Sequence, residues 1–477
     1  MTTSVPHPGA AIRARLDHPV IDSDGHFIEY LPLVRDFVVE EAGEEVAKGV
    51  DRLSMAGAAR AAIPPGDARR EHGVFAVAMW GIPARNTLDR ATVMLPHLLA
   101  ERLGDMGVDF AVLYPTYGLT ITALADDELR CALARAFNRY SAEVFAGTRD
   151  RLEPVATIPM FTPGEAIAEL EFAVGELGLK SVMMTGSVPR PVPNTDGAPS
   201  GRWIDTLAHD SVHDYDPVWA ACERLGVVPT FHGGGQGWGS RMSTTNMSYN
   251  QVGNFAAAGE AICRSLVFGG VPKRFPNLRF AFQEGGVAWG ASLLGAVLGH
   301  YEKRNRDAIE HYNPAHLDRD LLARLFAEHG SESVVARLDR LDDGLRMLSD
   351  PADADKVDFF GESQLTGADD VVRVFTEQFF FGCEADDPMN VLAFRPELSP
   401  HRARLRALFA SDIGHWDVPD ILDVVPEAHE LVDDGLADDR DFRDFVFTNP
   451  VALWTALSPS FFDGTAVEGA VARELAR

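Results

Sequence analysis

Short apolar runs, each followed by a stretch of helical periodicity, recur along the chain. Eight of them read as buried strands: "PVIDSD" at 19–24, "VDFAVLYP" at 108–115, "LEPVATIP" at 152–159, "LKSVMM" at 179–184, "GVVPTFH" at 226–232, "LRFAFQE" at 278–284, "EQFFFGC" at 377–383 and "LRALFASD" at 405–412. Runs this short and this continuously apolar are expected where both faces of a parallel sheet are covered. The segments between them are amphipathic. In "PGEAIAELEFAVGELG" Ala166, Leu170, Ala173 and Leu177 recur at i, i+4, i+7 and i+11, and the glycine that follows supplies a helix stop. Eight strand–helix units predict an α/β fold, a (β/α)8 TIM barrel with helical insertions.

Two segments exceed a minimal barrel. Residues from about 31 to 100 include an Ala-rich portion and "AAIPPGD", and are expected as helices over the barrel mouth. Residues from about 302 to 367 are charged, with an amphipathic "VVARLDRLDDGLRML", and separate strands six and seven as a lid or a dimer contact. From about 426 to 477 the acidic run "EAHELVDDGLADDRDFRDF" and then "VFTNPVALW" read as terminal helices. The whole of 1–477 is therefore expected as one barrel domain, its strands spread over about 19–412.

Charge narrows the partners. Lys and Arg number 43 against 71 Asp and Glu, a net −28 that repels phosphate backbones and anionic membranes, so neither nucleic acid nor membrane is expected as a partner. The longest apolar stretch, "GVAWGASLLGAVLG", is too short to span a bilayer, and "MTTSVPHPGAAIRARLDHPV" has no apolar signal core. Cys131, Cys222, Cys263 and Cys383 are far apart, as reduced thiols would be. A soluble, cytoplasmic protein is the expectation.

In a parallel barrel the C-terminal strand ends meet at one face, so what each strand ends on decides the chemistry. Strand one ends in Asp24-Gly25-His26, strand five in His232, strand six in Glu284 and strand eight in Asp412. Two histidines and three carboxylates at one mouth make a nitrogen and oxygen set for a divalent transition metal. In "VIDSDGH" Asp22, Asp24 and His26 fall on alternate positions and share a face, which costs several kcal/mol unless a charge pairs with them. His209 and His213 have i, i+4 spacing but no H-E-x-x-H glutamate and sit among turn formers, which makes them loop residues. The "HGGGQGWGS" that follows strand five fits no nucleotide-binding glycine pattern, and no G-x-S-x-G occurs.

These pieces, in this order, resemble the amidohydrolase-related family, the branch of metal-dependent barrels that includes aminocarboxymuconate-semialdehyde decarboxylase and the dihydroxybenzoate decarboxylases. The matching stretches are "VIDSDGH", "MGVDFAVLYPT", "RLEPVATIPM", "ELGLKSVMM", "YDPVWAACERLGVVPTFHGG", "RFPNLRFAFQEGGVAW", "FASDIGHWD" and "FTNPVALW". The resemblance implies that Asp24 and His26 are the first two metal ligands, His232 the third, and Asp412 the strand-eight carboxylate that holds the metal and shuttles a proton. It implies one divalent ion, zinc first with manganese or iron as alternatives, a small-molecule substrate, and is compatible with a homodimer. Asp22 would be a neighbouring acceptor. The family's decarboxylases carry a histidine on strand six and a glutamate three residues later; here those places are Glu284 and Val287.

That departure ranks the activities. A carboxylate beside a metal-bound water suits a hydrolase, with Glu284 or Asp412 taking the proton. The alternative is non-oxidative decarboxylation of an aromatic or unsaturated carboxylic acid, a carboxy-lyase reaction that needs another acid, for which His415 is available. A barrel that only binds ligand ranks third. For an anionic substrate Arg190 and Arg241, at loop tips after strands four and five, are the cations at hand.

Overall fold

The computed structural model describes residues 7–51, 62–77, 83–192, 202–345 and 358–477. Parts of both expected insertions, 52–61, 78–82 and 346–357, lie outside the described residues. Eight strands form the barrel: β1 Ile21–Phe27, β2 Phe110–Pro115, β3 Leu152–Ile158, β4 Ser181–Met184, β5 Pro229–Phe231, β6 Phe280–Phe282, β7 Phe379–Glu384 and β8 Arg406–Ala410. They pair in sequence order and in parallel from β1 to β8. The ring closes through backbone bonds between β1 and the residues just past β8: Asp412 N–H donates to Asp24 O at 2.9 Å and His26 N–H to Ile413 O at 3.1 Å. All eight predicted strands are present.

The strands are apolar on both sides because each side is covered. Phe231, Phe280, Phe282, Phe379 and Phe381 interlock by edge and stacked ring contacts with Trp219 and Trp289, which lie on the helices Asp216–Leu225 and Ala288–Arg304. The helix expected after β3 begins at Pro163, with Thr162 and Glu165 forming a reciprocal capping box, and its last turn over Glu171–Glu176 is π-helical. Gly178, at φ +69°, ends it.

The insertions behave differently from one another. Residues 62–77 lie on the loop after β5: Gly66 N–H donates to Thr244 Oγ1 at 3.0 Å and Ala76 N–H to Ser243 O at 2.7 Å. Between β6 and β7, residues 308–345 form the helices Arg319–His329 and Glu332–Val335 with short 3₁₀ turns, and not one of these residues is buried. A hairpin the sequence did not predict, Val188–Pro191 paired antiparallel with Arg202–Asp205, follows β4. After β8 come the helices Val424–Asp433, Asp439–Arg443, Asn449–Trp454 and Glu468–Leu475. Among the described residues no helix is long and apolar enough to cross a membrane.

Candidate metal centre

The strand ends bring the predicted residues together. Asp24 and His26 belong to β1, whose register against β2 shifts between Asp22 and Gly25, yet both side chains reach the mouth. Gly25 is needed there, since a Cβ would stand 2.6 Å from Asp22 Oδ2 and 2.9 Å from Leu113. His232 sits one residue past β5, its N–H continuing the ladder to Met184 O at 3.3 Å. Glu284 and Asp412 each lie two residues past their strands and both take left-handed backbone, φ +56° and φ +48°. For a non-glycine residue such a conformation costs of order 1 kcal/mol or more, and here it turns two carboxylates from the strand direction into the mouth.

The Nε2 atoms of His26 and His232 face each other at 3.1 Å. Asp24 Oδ1 is 3.6 Å from each of them, Asp412 Oδ1 is 3.4 Å from His26 Nε2, and Glu284 Oε2 is 3.3 Å from His232 Nε2. His415 joins the set, its Nδ1 2.6 Å from Asp412 Oδ1 and its ring 3.8 Å from that of His26. Asp24, His26, His232, Glu284 and Asp412 are all buried, and both oxygens of Asp24 and Oε2 of Glu284 have no hydrogen-bond partner.

Burial dominates the protonation of this group. It pushes the carboxyls of Asp24, Glu284 and Asp412 well above the usual range, reinforced at Asp24 by Asp22 and Glu384 and at Asp412 by Glu284 and Asp417. It pushes His26 and His232 well below theirs and His415 to about 4. The imidazoles are thus neutral and free to donate lone pairs, while the carboxylates lack the positive charge that would make ionisation favourable. Nitrogen and oxygen donors converging with unpartnered lone pairs are what a divalent first-row ion requires, so the residues present fit such a group.

Beneath the set lies a polar layer not foreseen from the sequence. Gln283 Nε2 donates to Tyr114 Oη at 2.7 Å and to Ser23 O at 3.1 Å, and Tyr114 Oη donates to Thr230 Oγ1 at 2.9 Å, tying β1, β2, β5 and β6 under the histidines. Asp22 belongs to the barrel seam rather than to a ligand histidine: it accepts from Ser411 N–H at 3.0 Å, from the Ser411 hydroxyl and from Asp24 N–H at 3.1 Å.

Glu284 is the member of the set that lines a cavity of about 320 Å³, together with Asn254, Phe255, Glu384, Trp416 and Asp417 among others. Glu384 and Asp417 were missed as site residues. Glu384 follows directly on "EQFFFGC", so one more residue in the β7 reading would have found it. The two arginines are not at this cavity. Arg190 is in the hairpin, 3.0 Å from Asp205 Oδ2 and bonded to Tyr215 Oη and Phe161 O. Arg241 donates to Gly253 O at 2.9 Å, bracing the turn before Asn254. His209 and His213 stay exposed on a loop, His209 against Glu362.

The amidohydrolase family profile (Amidohydro_2) matches residues 21–341. A curated relative, the 2-amino-3-carboxymuconate-6-semialdehyde decarboxylase of Dictyostelium discoideum, is 29% identical over 154 residues, which is 32% of this chain and 38% of the relative. The match therefore spans little more than a third of that relative's length. Among solved structures, 5-carboxyvanillate decarboxylase from Novosphingobium aromaticivorans, complexed with manganese and 4-hydroxy-3-methoxy-5-nitrobenzoic acid, superimposes with a TM-score of 0.50 at 13% identity, covering 95% of this chain and 99% of that one. Dihydroxybenzoic acid decarboxylase from a Polaromonas species, with manganese and 2-nitroresorcinol, gives 0.48 at 14% identity over 92% of this chain and 97% of that one.

These findings correct the ranking of hydrolysis above decarboxylation, which rested on Glu284 and Val287. The relative is a decarboxylase, and the two residues that differ from the decarboxylase pattern do not by themselves signal hydrolysis. A profile match over two thirds of the length, the closed eight-stranded barrel and the histidine and carboxylate set at its mouth lead to one conclusion: the chain belongs to the amidohydrolase family.

Proposed function

We propose that this protein is a metal-dependent decarboxylase that releases CO2 from a small aromatic or unsaturated carboxylic acid. The observation that carries the reading is the placement of His415. At 2.6 Å from Asp412, with its ring 3.8 Å from that of His26 and tilted 31° to it, it brings a proton carrier to a mouth that lacks the strand-six histidine and glutamate. The decarboxylase activity of the curated relative supports the same reading.

Asp24, His26, His232 and Asp412 would hold one divalent ion, and manganese, the ion in the carboxyvanillate decarboxylase structure, is the first to try, ahead of zinc. Bound there, it supplies positive charge for the substrate carboxylate and a neighbouring oxygen. Among the described residues no Lys or Arg lines the cavity, so no side chain competes for that role. Phe255 and Trp416 give the cavity aromatic walls suited to a flat, unsaturated substrate. Burial pushes the Glu284 carboxyl well above its usual range, which limits its repulsion of the substrate's negative charge. When the bond to the carboxylate carbon breaks, its electron pair stays on the substrate, and the Asp412–His415 pair delivers a proton there. His415, its side chain 13% exposed, recovers a proton from water.

The test is to load purified protein with Mn²⁺ and incubate it with hydroxybenzoates, unsaturated ring-cleavage acids, amides and lactones, following CO2 separately from hydrolysis. CO2 from one of the acids is expected. Hydrolysis of an amide or lactone with no CO2 from any acid would refute the reading.

A further inference from the structure

A second cavity, of about 530 Å³, lies away from the metal set and is lined by His209, Phe268, His300, Arg304, Phe359 and Phe360. Two helices give its distance from the mouth. The helix Asn254–Phe268 starts at Asn254 in the mouth cavity and ends at Phe268 in this one, about 21 Å away at 1.5 Å per residue. The helix Ala288–Arg304 starts two residues after Gly286, also in the mouth cavity, and brings His300 and Arg304 here in its last turns. The second cavity therefore lies at the far end of these helices from the strand-end residues, and it is large enough for a one-ring ligand.

Its walls are aromatic and its charge is positive. Phe268 and Phe360 pack with ring centroids 5.0 Å apart, while Phe359 is 56% exposed and meets no other described ring. Arg304 is half-buried, its guanidinium 4.0 Å over the Tyr312 ring, and no carboxylate among the described residues pairs with it. In a chain where 71 acids outnumber 43 bases, that is an uncommon position for an arginine. No Asp or Glu is among the described lining residues, and His209 is already held by Glu362 at 2.8 Å. The negative end of the helix dipole accounts for a cation in this turn, but not for three phenylalanines around it.

We propose that this cavity is a second small-molecule site, which takes a flat aromatic carboxylate with its ring among Phe268, Phe359 and Phe360 and its carboxylate on Arg304. Charge selects that occupant. A hydrocarbon would leave the guanidinium unpaired, and an amine would be repelled by it, whereas a carboxylate matches its two-pronged donor edge. Offset or edge contacts with the phenylalanine rings hold the aromatic part. The inference rests on neither the metal set nor the release of CO2.

Chelator-treated full-length protein is titrated with 4-fluorobenzoate and followed by fluorine NMR, with 4-fluorobenzamide as the neutral control. Saturable binding with a Kd of about 1 mM or tighter is expected for a fragment of this size, and the benzamide should bind about fivefold more weakly or worse. Arg304→Gln and Phe359→Ala should each weaken 4-fluorobenzoate by about fivefold or more, while Phe255→Ala, in the mouth cavity, leaves it unchanged. Thermal unfolding checks that the variants fold, and two variants guard against the failure of either. No saturable binding by the wild type overturns the proposal, including the case in which a second copy of the chain covers this face. So does equal affinity for the benzamide, or unchanged binding in both folded variants. Binding lost in Phe255→Ala and kept in the other two would place the ligand at the mouth and overturn it as well.

Discussion

The barrel mouth and the insertion between β6 and β7 reverse the usual placement of polar and apolar residues. At the mouth, Asp24, His26, His232 and Asp412 are buried with few hydrogen-bond partners. In the insertion, Leu321, Leu325, Phe326, Val334 and Val335 are exposed on well-capped helices, Asp318 and Ser331 each accepting from a backbone N–H. Buried polar groups without partners carry a desolvation cost, and such costs concentrate at functional sites. Exposed apolar side chains on helices this short carry no comparable penalty and contribute little to the barrel. The difference supports the chemistry proposed for the first region and leaves the second outside the barrel's energetics.

Four changes sharpen or break this contrast, from the largest expected effect to the smallest. His232→Ala should lower bound metal from about one ion at the histidine set to near none and abolish turnover, while thermal unfolding in chelator shifts little, because the core lies below the strand ends. Metal analysis and melting on one preparation check it. A variant that keeps its metal would make His232 a structural histidine.

Next, His415→Gln should keep the metal and lose on the order of 10²- to 10⁴-fold in turnover, the range for one proton-transfer group. Rates paired with metal content decide this. Unchanged turnover would mean that the proton comes from elsewhere, Glu284 being the nearest alternative.

The third change is pH, without metal. Folded Glu384 is pushed up from 4.5 to about 8 by burial, with Asp417, Asp386 and Asp387 adding to the shift, and folded Asp22 to about 6 by burial. Below about 6.5 the depressed His26, His232 and His415 take up protons on unfolding and oppose the effect of these carboxyls. Above it they are neutral in both states, so the extra carboxyl proton held by the folded state makes stability fall as pH rises from about 6.5 towards 8. Denaturant melts of chelated protein across this range should show the decline, and Glu384→Gln should flatten it. A rise in stability over the same window would contradict the burial of these groups.

The smallest effect belongs to the insertion. Leu325→Lys should change stability by no more than about 0.5 kcal/mol and leave turnover intact, since the residue is 42% exposed. A larger loss of stability would show that this helix face is covered in solution.

Much of this was legible in the sequence because a parallel barrel writes its strands as continuous apolar runs and its site at their ends. Asp24, His26, His232, Glu284 and Asp412 could be placed from that logic alone, and His415 came with the loop that carries Asp412. Glu384 was lost to a strand end misjudged by one residue, and Asp417 was quoted in "FASDIGHWD" without being given a role. Arg190 looked like a free loop cation because its partner, Asp205, lies across a hairpin whose proline and charged residues do not resemble strands. The Gln283–Tyr114–Thr230 layer joins positions more than a hundred residues apart, and no local pattern announces it. The choice of reaction failed for a similar reason: Glu284 and Val287 show which groups are absent from β6, and only the folded site shows that the Asp412–His415 pair stands beside the ligand set.

The central claim is that the strand-end set holds an ion and that CO2 loss at this mouth depends on it, with the departing carboxylate replaced by a proton from the Asp412–His415 pair. The direct measurement follows a turned-over acid in D2O by mass spectrometry, with and without chelator. The account predicts one deuterium at the carbon that lost CO2, its appearance stopped by chelator and restored by Mn²⁺. CO2 release that continues in metal-free protein, or turnover of the metal-loaded protein that yields only hydrolysis products, would contradict it.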